Sequence, residues 1–532
     1  LVNLQATTEN LEATSKEKDS QIADLQSRLD AIFNSRGWKF LIRYYRIRDS
    51  LFSFGSGRKR NLDSSSPLQR MRRKLAMAGT LLRAIPHAVS YCNGSLPSAI
   101  SRGIGLLKRS GIRGIMRRAS VFVSSPDLKG SQGLSSLALY GEVPQPNPSM
   151  PKVSVIVPNF NHAKYLPKRL ASIYGQSYGN VEVILLDDCS GDGSVTILRD
   201  YAQRYPGKTV CRFNEVNSGG VFNQWKKGLE LATGELVWIA ESDDYCTANL
   251  LEELVRFFQN AAVMLAFTRS EFMRGEPPKK VWTSEEYLSD LGLDIWEKPF
   301  IQSANALVNN GWAIKNLVPN VSGAVFRNPG KMALFDDPEW QQLRLCGDWI
   351  FYLSLIRGGL VAYSPNATNY YRQHPLNISV NAQNENLYYG EFEVVARHLL
   401  HNYSLEQSCL EKQKMHLYQH WCSRRGSSRE DEFKALYSLD RVWQTAGARK
   451  PNLVMAVYAL TAGGGETFPI MLANLLHSRG YAVTLLNCGN EPTEPGIRRM
   501  LSSNIPLLEL DRLELLNAVF SDMGVELVHS HH

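Results

Sequence analysis

Three short polar loops hold the residues best suited to chemistry: Pro158-Asn159-Phe160-Asn161, Asp187-Asp188-Cys189-Ser190 and Glu241-Ser242-Asp243-Asp244. Each directly follows an apolar stretch that reads as a buried strand: Val153–Val157, Val181–Leu186 and Glu235–Ala240. In open α/β sheets, ligands bind in the crevice at the carboxyl ends of the strands, so all three loops fall at one edge. Asp and Ser at a strand end also cap the following helix, which would account for any one loop alone. Together they make an acidic cluster that needs a cation or a proton to offset its own repulsion. A divalent metal bound to a diphosphate answers that need, and hard oxygen donors suit Mg2+ or Mn2+.

The elements that must position these loops follow from periodicity. Strands at Val153–Val157, Val181–Leu186, Thr209–Phe213, Glu235–Ala240 and Val263–Thr268 alternate with helices near 164–174, 194–205, 221–232 and 247–259. Residues 275–345 are irregular and rich in aromatics. A helix near 347–357 opens with Gly347-Asp348-Trp349, a strand near Leu360–Tyr363 and a polar tail follow, and 385–445 read as helical. A second α/β unit starts at Leu453 with strand Leu453–Leu460, the turn Gly463-Gly464-Gly465, helix Thr467–Ser478 and strand Ala482–Asn487.

At 532 residues the chain holds about three or four units. Because it starts at Leu1 and stops at His532 just after an apolar stretch, it reads as a fragment of a longer protein. Its 8 cysteines form no disulfide framework or zinc spacing, which fits a reducing, cytoplasmic compartment. No apolar run approaches the roughly 18 residues of a membrane span.

The charge is unevenly placed. Residues 31–120 carry 19 Lys and Arg against only Asp49 and Asp63, whereas the whole chain has a net charge of +8, so the remainder is acidic. With Trp38, Phe40, Tyr44 and Tyr45 among them, these basic helices suit an anionic membrane surface. No nucleic-acid-binding signature accompanies the charge, so no nucleic acid is expected as a partner. Leu1, Leu4, Leu11, Ile22, Leu25, Leu29 and Ile32 fit heptad seam positions of a coiled coil that could self-associate. The expected organisation is therefore a coiled coil (1–35), a basic membrane-facing region (36–123), a linker (124–150), a catalytic α/β domain (151–380), a helical connector (381–448) and a partial α/β domain (451–532).

The ordered set VSVIVPNFN, VILLDDCSGDGS, NSGG and GELVWIAESDDY resembles family 2 glycosyltransferases of the GT-A fold, over about residues 151–380. The resemblance implies that Pro158, Asn159, Phe160, Asp187 and Asp188 surround the nucleotide of a nucleoside-diphosphate sugar, with Asn217 and Gly219 in the turn approaching it. It maps the family's Asp-x-Asp element onto Glu241 and Asp243, with Asp243, Asp244 and Glu241 as metal residues and Asp243 also at the donor. Glu241 departs from the Asp of many relatives, which leaves its contact with a metal open. Asp348 matches the position of the catalytic base, which an acceptor hydroxyl requires. Arg372 and His374 in Tyr371-Arg372-Gln373-His374 match a closing loop that reaches the diphosphate, and Asn320, Ser322 and Trp349 are candidates for the acceptor pocket.

The expected fold class is thus α/β: a GT-A nucleotide-diphospho-sugar transferase fold, preceded by coiled-coil and basic helices. The unit from 451 resembles the amino-terminal half of family 4 glycosyltransferases, a partial Rossmann-like GT-B half-domain. The expected activity is an inverting, Mn2+- or Mg2+-dependent transfer to a hydroxyl of a cell-surface polysaccharide or lipid-linked glycan. It would take place in the cytoplasm, peripherally at the inner face of the membrane. A Gln-x-x-Arg-Trp element like that of processive synthases is missing, which favours one or few additions. Two competing readings are a catalytically decayed scaffold and a nucleotidyltransferase; the latter would need a glycine-rich basic loop after the first strand, which Pro158-Asn159-Phe160-Asn161 is not.

Overall fold

Alternating apolar residues along the first strands face two different cores. In β1 (Val153–Asn159), Val153, Val155 and Val157 join one cluster and Ile156 the other; in β2 (Val181–Asp187), Val183 and Leu185 oppose Ile184 and Leu186. A sheet buried on both faces is what such near-continuous apolar strands require. The computed structural model describes residues 136–145, 151–374, 386–406, 408–425, 429–460, 464–489, 493–510 and 513–531. The coiled coil expected over 1–35 and the basic region over 36–123 lie outside them.

Ten strands form the main sheet, in the order β3 (Thr209–Phe213), β2, β1, β4 (Leu236–Ile239), β9 (Ala324–Arg327), β6 (Val263–Arg274), β10 (Leu360–Gln373) and β5 (Tyr245–Cys246), with β7 (Lys279–Thr283) and β8 (Phe300–Ser303) paired to β6 and β10. Strands β1, β2, β3 (Thr209–Phe213) and β4 (Leu236–Ile239) are parallel. Helices α2 (Leu166–Tyr174), α3 (Ser194–Arg204) and α4 (Val221–Leu231) connect them. The stretch expected as irregular supplies β9 (Ala324–Arg327), which runs antiparallel between β4 and β6 (Val263–Arg274). Periodicity does not reveal β9 because its four residues are too few to show a period.

The greatest difference from the sequence reading is β10, which spans Leu360–Gln373 rather than ending near Tyr363. Beyond a shift in register between Ser364 and Thr368 it continues parallel to β6, and Asn369 and Tyr370 pair antiparallel with β5 (Tyr245–Cys246). This pairing carries Arg372 and His374 back to the acidic turn. They lie at the end of a strand, where the sequence reading placed a loop.

Residues 136–145 fall in the expected linker, yet Ser136–Tyr140 forms helix α1, with Leu139 and Tyr140 buried. The Tyr140 hydroxyl donates to Asp522 Oδ2 at 2.5 Å, which fixes this segment to the carboxyl-terminal unit. Gly347–Leu355, just before β10, and Leu387–Asn402, after it, form helices on the core that holds Ile156. The unit from 452 is a four-stranded parallel sheet in the order β13 (Leu507–Glu509), β12 (Ala482–Asn487), β11 (Asn452–Val457) and β14 (Leu527–His531). Val454, Leu486 and Leu508 share a core with the main sheet, so the two α/β units are packed directly together. Among the described residues no helix is long and apolar enough to cross a membrane.

Candidate active site

The carboxyl ends of β1 and β2 are in register, Asn159 opposite Asp187, and Asn159 Nδ2 donates to Asp187 Oδ1 at 2.7 Å. Asp187 also accepts from the Ser190 amide (2.9 Å) and hydroxyl (2.7 Å). Asp188 takes the next segment: its carboxylate accepts from Asn214 Nδ2 (2.7 Å), the Ser218 amide (2.8 Å), Ser218 Oγ (2.8 Å) and Gln224 Nε2 (2.9 Å). Asn217 Nδ2 donates to the Asp188 carbonyl at 3.0 Å, and Asn217 Oδ1 accepts from the Gly219 amide at 2.8 Å. Gly219, at φ 84°, occupies the left-handed conformation this turn requires. Both carboxylates therefore brace loops with most of their acceptor capacity, a larger structural part than the sequence reading gave them.

Pro158 is buried within β1, whereas Phe160, directly after the strand, is 46% exposed. Asn161 and Cys189, each in the loop after its strand, both take positive φ (54° and 66°). Asn tolerates that region and Cys does so at some cost. Ser190 Oγ accepts from the Asn161 amide at 2.8 Å, and Asn161 Oδ1 from the Gly191 amide at 2.9 Å, which together over-determine the conformation.

The acidic turn separates its three carboxyls by environment. Asp244 is fully buried and accepts from Ser322 Oγ at 2.7 Å and the Arg372 amide at 2.9 Å; burial, then the Asp243 charge, push it up to about 7. Glu241 accepts from Trp225 Nε1 at 2.9 Å, and burial followed by Asp243 pushes it up to about 8. Asp243 behaves oppositely. Burial works against its ionised form, but the His374 hydrogen bond and the nearby His162 and His374 outweigh it and hold the carboxyl below its ordinary value.

Donor atoms of His162, Asp243 and His374 lie within 4.8 Å of one another, with His374 Nε2 3.0 Å from Asp243 Oδ2 and His162 Nδ1 2.8 Å from Ser242 Oγ. This grouping differs from the expected metal set. Asp244 is committed to Ser322 and to backbone, Glu241 is held by Trp225, and of the three acids only Asp243 joins the cluster that could hold a cation. His162 was missed, although it directly follows Asn161 in the first loop and a His there is visible in the sequence. Burial lowers the His162 value, which keeps the imidazole neutral and able to act as a ligand. Two imidazoles and a carboxylate could hold a divalent ion, and imidazole donors suit first-row transition ions better than magnesium.

Around this cluster the Arg372 guanidinium lies 4.6 Å from the Tyr165 ring centroid and 5.3 Å from that of Tyr245, and Lys168 Nζ 3.4 Å from Tyr245. These aromatic faces hold two cations close to each other.

The expected acceptor residues fall elsewhere. Ser322 is fully buried; its hydroxyl serves Asp244 and accepts from the Glu241 amide at 3.0 Å. Asn320 Oδ1 accepts from the Ser322 amide and from Asn369 Nδ2, both at 3.0 Å. Trp349 is 1% exposed and packs edge-on against Phe392, 5.2 Å between centroids. Ser322 and Trp349 therefore lie under the surface, and Asn320 holds the Ser322 amide.

Asp348 sits in the first turn of Gly347–Leu355, half-buried, with Asn316 Nδ2 3.5 Å from its Oδ2 and its Oδ1 accepting from the Trp349 amide at 2.7 Å. Burial pushes it up to about 7, the Trp349 amide works against that rise, and the Glu391 charge adds to it. Helix α4 links this carboxyl to the acidic turn: Trp225 holds Glu241, and one turn earlier Phe222 packs so tightly on Gly347 that a Cβ there would be 2.2 Å from the ring.

Comparison with known proteins decides what this edge belongs to. Residues 154–315 match the family model described as Glycosyl transferase family 2. The chain carries a family 2 glycosyltransferase domain. It is 27% identical over 235 residues to an uncharacterized glycosyltransferase of Nostoc sp., covering 43% of this chain and 67% of that protein. It is 34% identical over 132 residues to the poly(ribitol-phosphate) beta-N-acetylglucosaminyltransferase TarS of Staphylococcus aureus, covering 24% of this chain and 23% of TarS. The chain thus spans about two thirds or less of the length of these relatives. A crystal structure of S. aureus TarS residues 1–349 in complex with UDP-GlcNAc aligns at 22% identity and a TM-score of 0.38, over 56% of this chain and 79% of that one. The family match ends at residue 315, well before the second α/β unit.

Proposed function

We propose that the family 2 glycosyltransferase domain transfers a sugar from a nucleoside-diphosphate donor to a hydroxyl of a growing cell-surface polysaccharide or lipid-linked glycan, with inversion at the anomeric carbon. The observation that carries this reading is the contrast between the two carboxylates: Asp243, held ionised beside two histidines, and Asp348, pushed up to about 7. One suits a cation and a diphosphate; the other suits a base working near neutral pH.

In this reading Phe160 offers a face to the nucleotide base, while Asn159, Asp187, Asp188, Asn217 and Gly219 shape the loops around base and ribose. His162, Asp243 and His374 would hold Mn2+ or Mg2+, which when bound supplies Lewis-acid stabilisation of the departing diphosphate. Arg372 and Lys168 add positive charge on the same side. Asp348 takes the proton of the acceptor hydroxyl as that oxygen attacks the anomeric carbon. With one carboxylate base and no proposed covalent partner, the displacement is single and the configuration inverts.

The polysaccharide destination takes support from TarS, whose name records a poly(ribitol-phosphate) acceptor. The basic region over residues 36–123 supports attachment to an anionic membrane face, and the heptads over 1–35 support self-association. The partial α/β unit would contribute to a GT-B-type domain.

The test is release of nucleoside diphosphate by the purified chain from a panel of UDP-, dTDP- and GDP-sugars with Mn2+ or Mg2+, beside Asp243→Ala and Asp348→Asn. Metal-dependent turnover lost in both variants is the expected result. Absence of turnover and of metal-dependent UDP binding would leave the domain as a scaffold.

A further inference from the structure

We propose that Glu391, in the helical segment beyond the main sheet, is a positioning residue for Asp348: it fixes the chain entering the base's helix. The inference rests on the assignment of Asp348 as the base.

Glu391 lies in Leu387–Asn402, 3% exposed. Its Oε1 accepts from the Arg344 amide, and its Oε2 from the Leu345 and Cys346 amides, each at 2.8 Å. Three successive N–H groups thus converge on one carboxylate directly before the helix Gly347–Leu355 begins. A buried carboxylate is tolerated when several donors satisfy it, so this contact requires the 344–346 backbone to hold one conformation.

Two further contacts clamp the next residue. Trp340 Nε1 donates to the Gly347 carbonyl at 2.8 Å, and the Phe222 ring fills the space where a Cβ would stand. With 344–347 held on three sides, Asp348 has little freedom of direction. A base must meet its proton within hydrogen-bond reach, and small misplacements are costly.

The second effect is electrostatic. The titratable groups around Asp348 are Glu391 on the packed helix, Cys346 before it, Tyr352 on the same helix and Tyr287 from the segment opposite. Glu391 is the carboxylate among them, and its charge disfavours the ionised form of Asp348. The connector is then part of the active site's support.

The experiment uses the full chain, the best donor of the panel, and UDP with Mn2+ as the binding probe. Glu391→Gln keeps shape and removes charge; Glu391→Asp keeps charge and shortens reach. We expect kcat to fall by about 10- to 100-fold in both, with the UDP Kd within about twofold of wild type. The acid limb of the kcat profile should move to lower pH in Glu391→Gln only. Unchanged kcat and unchanged acid limb in both variants, with wild-type turnover intact, would overturn the positioning role alone. Loss of UDP binding together with the thermal transition in both would also overturn it, since Glu391 would then serve the fold as a whole. No turnover by the wild-type chain would instead remove the assignment of Asp348 as base.

Discussion

His374 Nε2 stands 3.0 Å from Asp243 Oδ2, joining the end of a 14-residue strand to a turn 131 residues earlier in the chain. With His162 from the first loop, this pair makes a cluster that could hold a cation, while Glu241 bonds to Trp225. Asp243→Ala and His374→Ala should each lower metal-dependent turnover by at least about 100-fold. Glu241→Gln should stay within about fivefold of wild type, because a carboxyl pushed up to about 8 is already neutral at pH 7. Turnover assays across a Mn2+ titration check both, and chelation should abolish an activity that added Mn2+ restores.

The strand-end acids were legible because apolar runs ending in Asp have a direct physical reading at a sheet edge. What the sequence hid was which acids face the crevice. Asp243 and Asp244 are adjacent, and only the partners of Asp244, Ser322 Oγ and the Arg372 amide, show that it points inward. Those partners come from the segment before β9 and from the far half of β10, elements whose pairings are long-range and leave no periodic trace. His162 and Glu391 were hidden for the same reason: a His after a loop or a Glu on a helix reads as surface until its neighbours are known.

Asp348 ties activity and stability to pH in opposite senses. As base it must be ionised, so kcat should rise with pH through about 7. For stability, a carboxyl raised from 3.8 to about 7 favours the fold in its protonated form. That contribution is fully present below about 3.8 and is lost as pH rises through about 7. Asp348→Asn should therefore be as stable as wild type near pH 4 and more stable at pH 8. The gain should be roughly 2 kcal/mol after allowance for partial exposure. Thermal melts at the two pH values check it: a gain equal at both would contradict the linkage.

Asp188 accepts four hydrogen bonds from residues 214–224, so the turn around Asn217 and Gly219 has it as its anchor. An amide in its place sets N–H against N–H at one oxygen. Asp188→Asn should cost about 1–3 kcal/mol in stability and weaken UDP binding by about tenfold or more. Urea denaturation and calorimetric titration with UDP measure the two effects. Weakened binding with unchanged stability would show that the carboxylate acts on the nucleotide directly rather than through the turn.

Helix α4 carries both Phe222 and Trp225, so its distance from β1 sets the site from behind. Gly228, on the same helix, lets it approach: a Cβ would stand 2.3 Å from Ile156 Cγ2 and 3.0 Å from Cδ1. Alanine in a helix gains about 1 kcal/mol over glycine, whereas overpacking a dense core costs about 1–3 kcal/mol. Gly228→Ala should therefore destabilise by about 1 kcal/mol, against its helix propensity, and reduce turnover by moving Trp225 from Glu241 and Phe222 from Gly347. In an Ile156→Ala background the space reopens, and the same substitution should become neutral or stabilising. Urea midpoints of the four proteins in that cycle decide it: a Gly228→Ala cost that persists in the Ile156→Ala background would mean that Gly228 is needed for its backbone rather than for the close approach of α4 to β1.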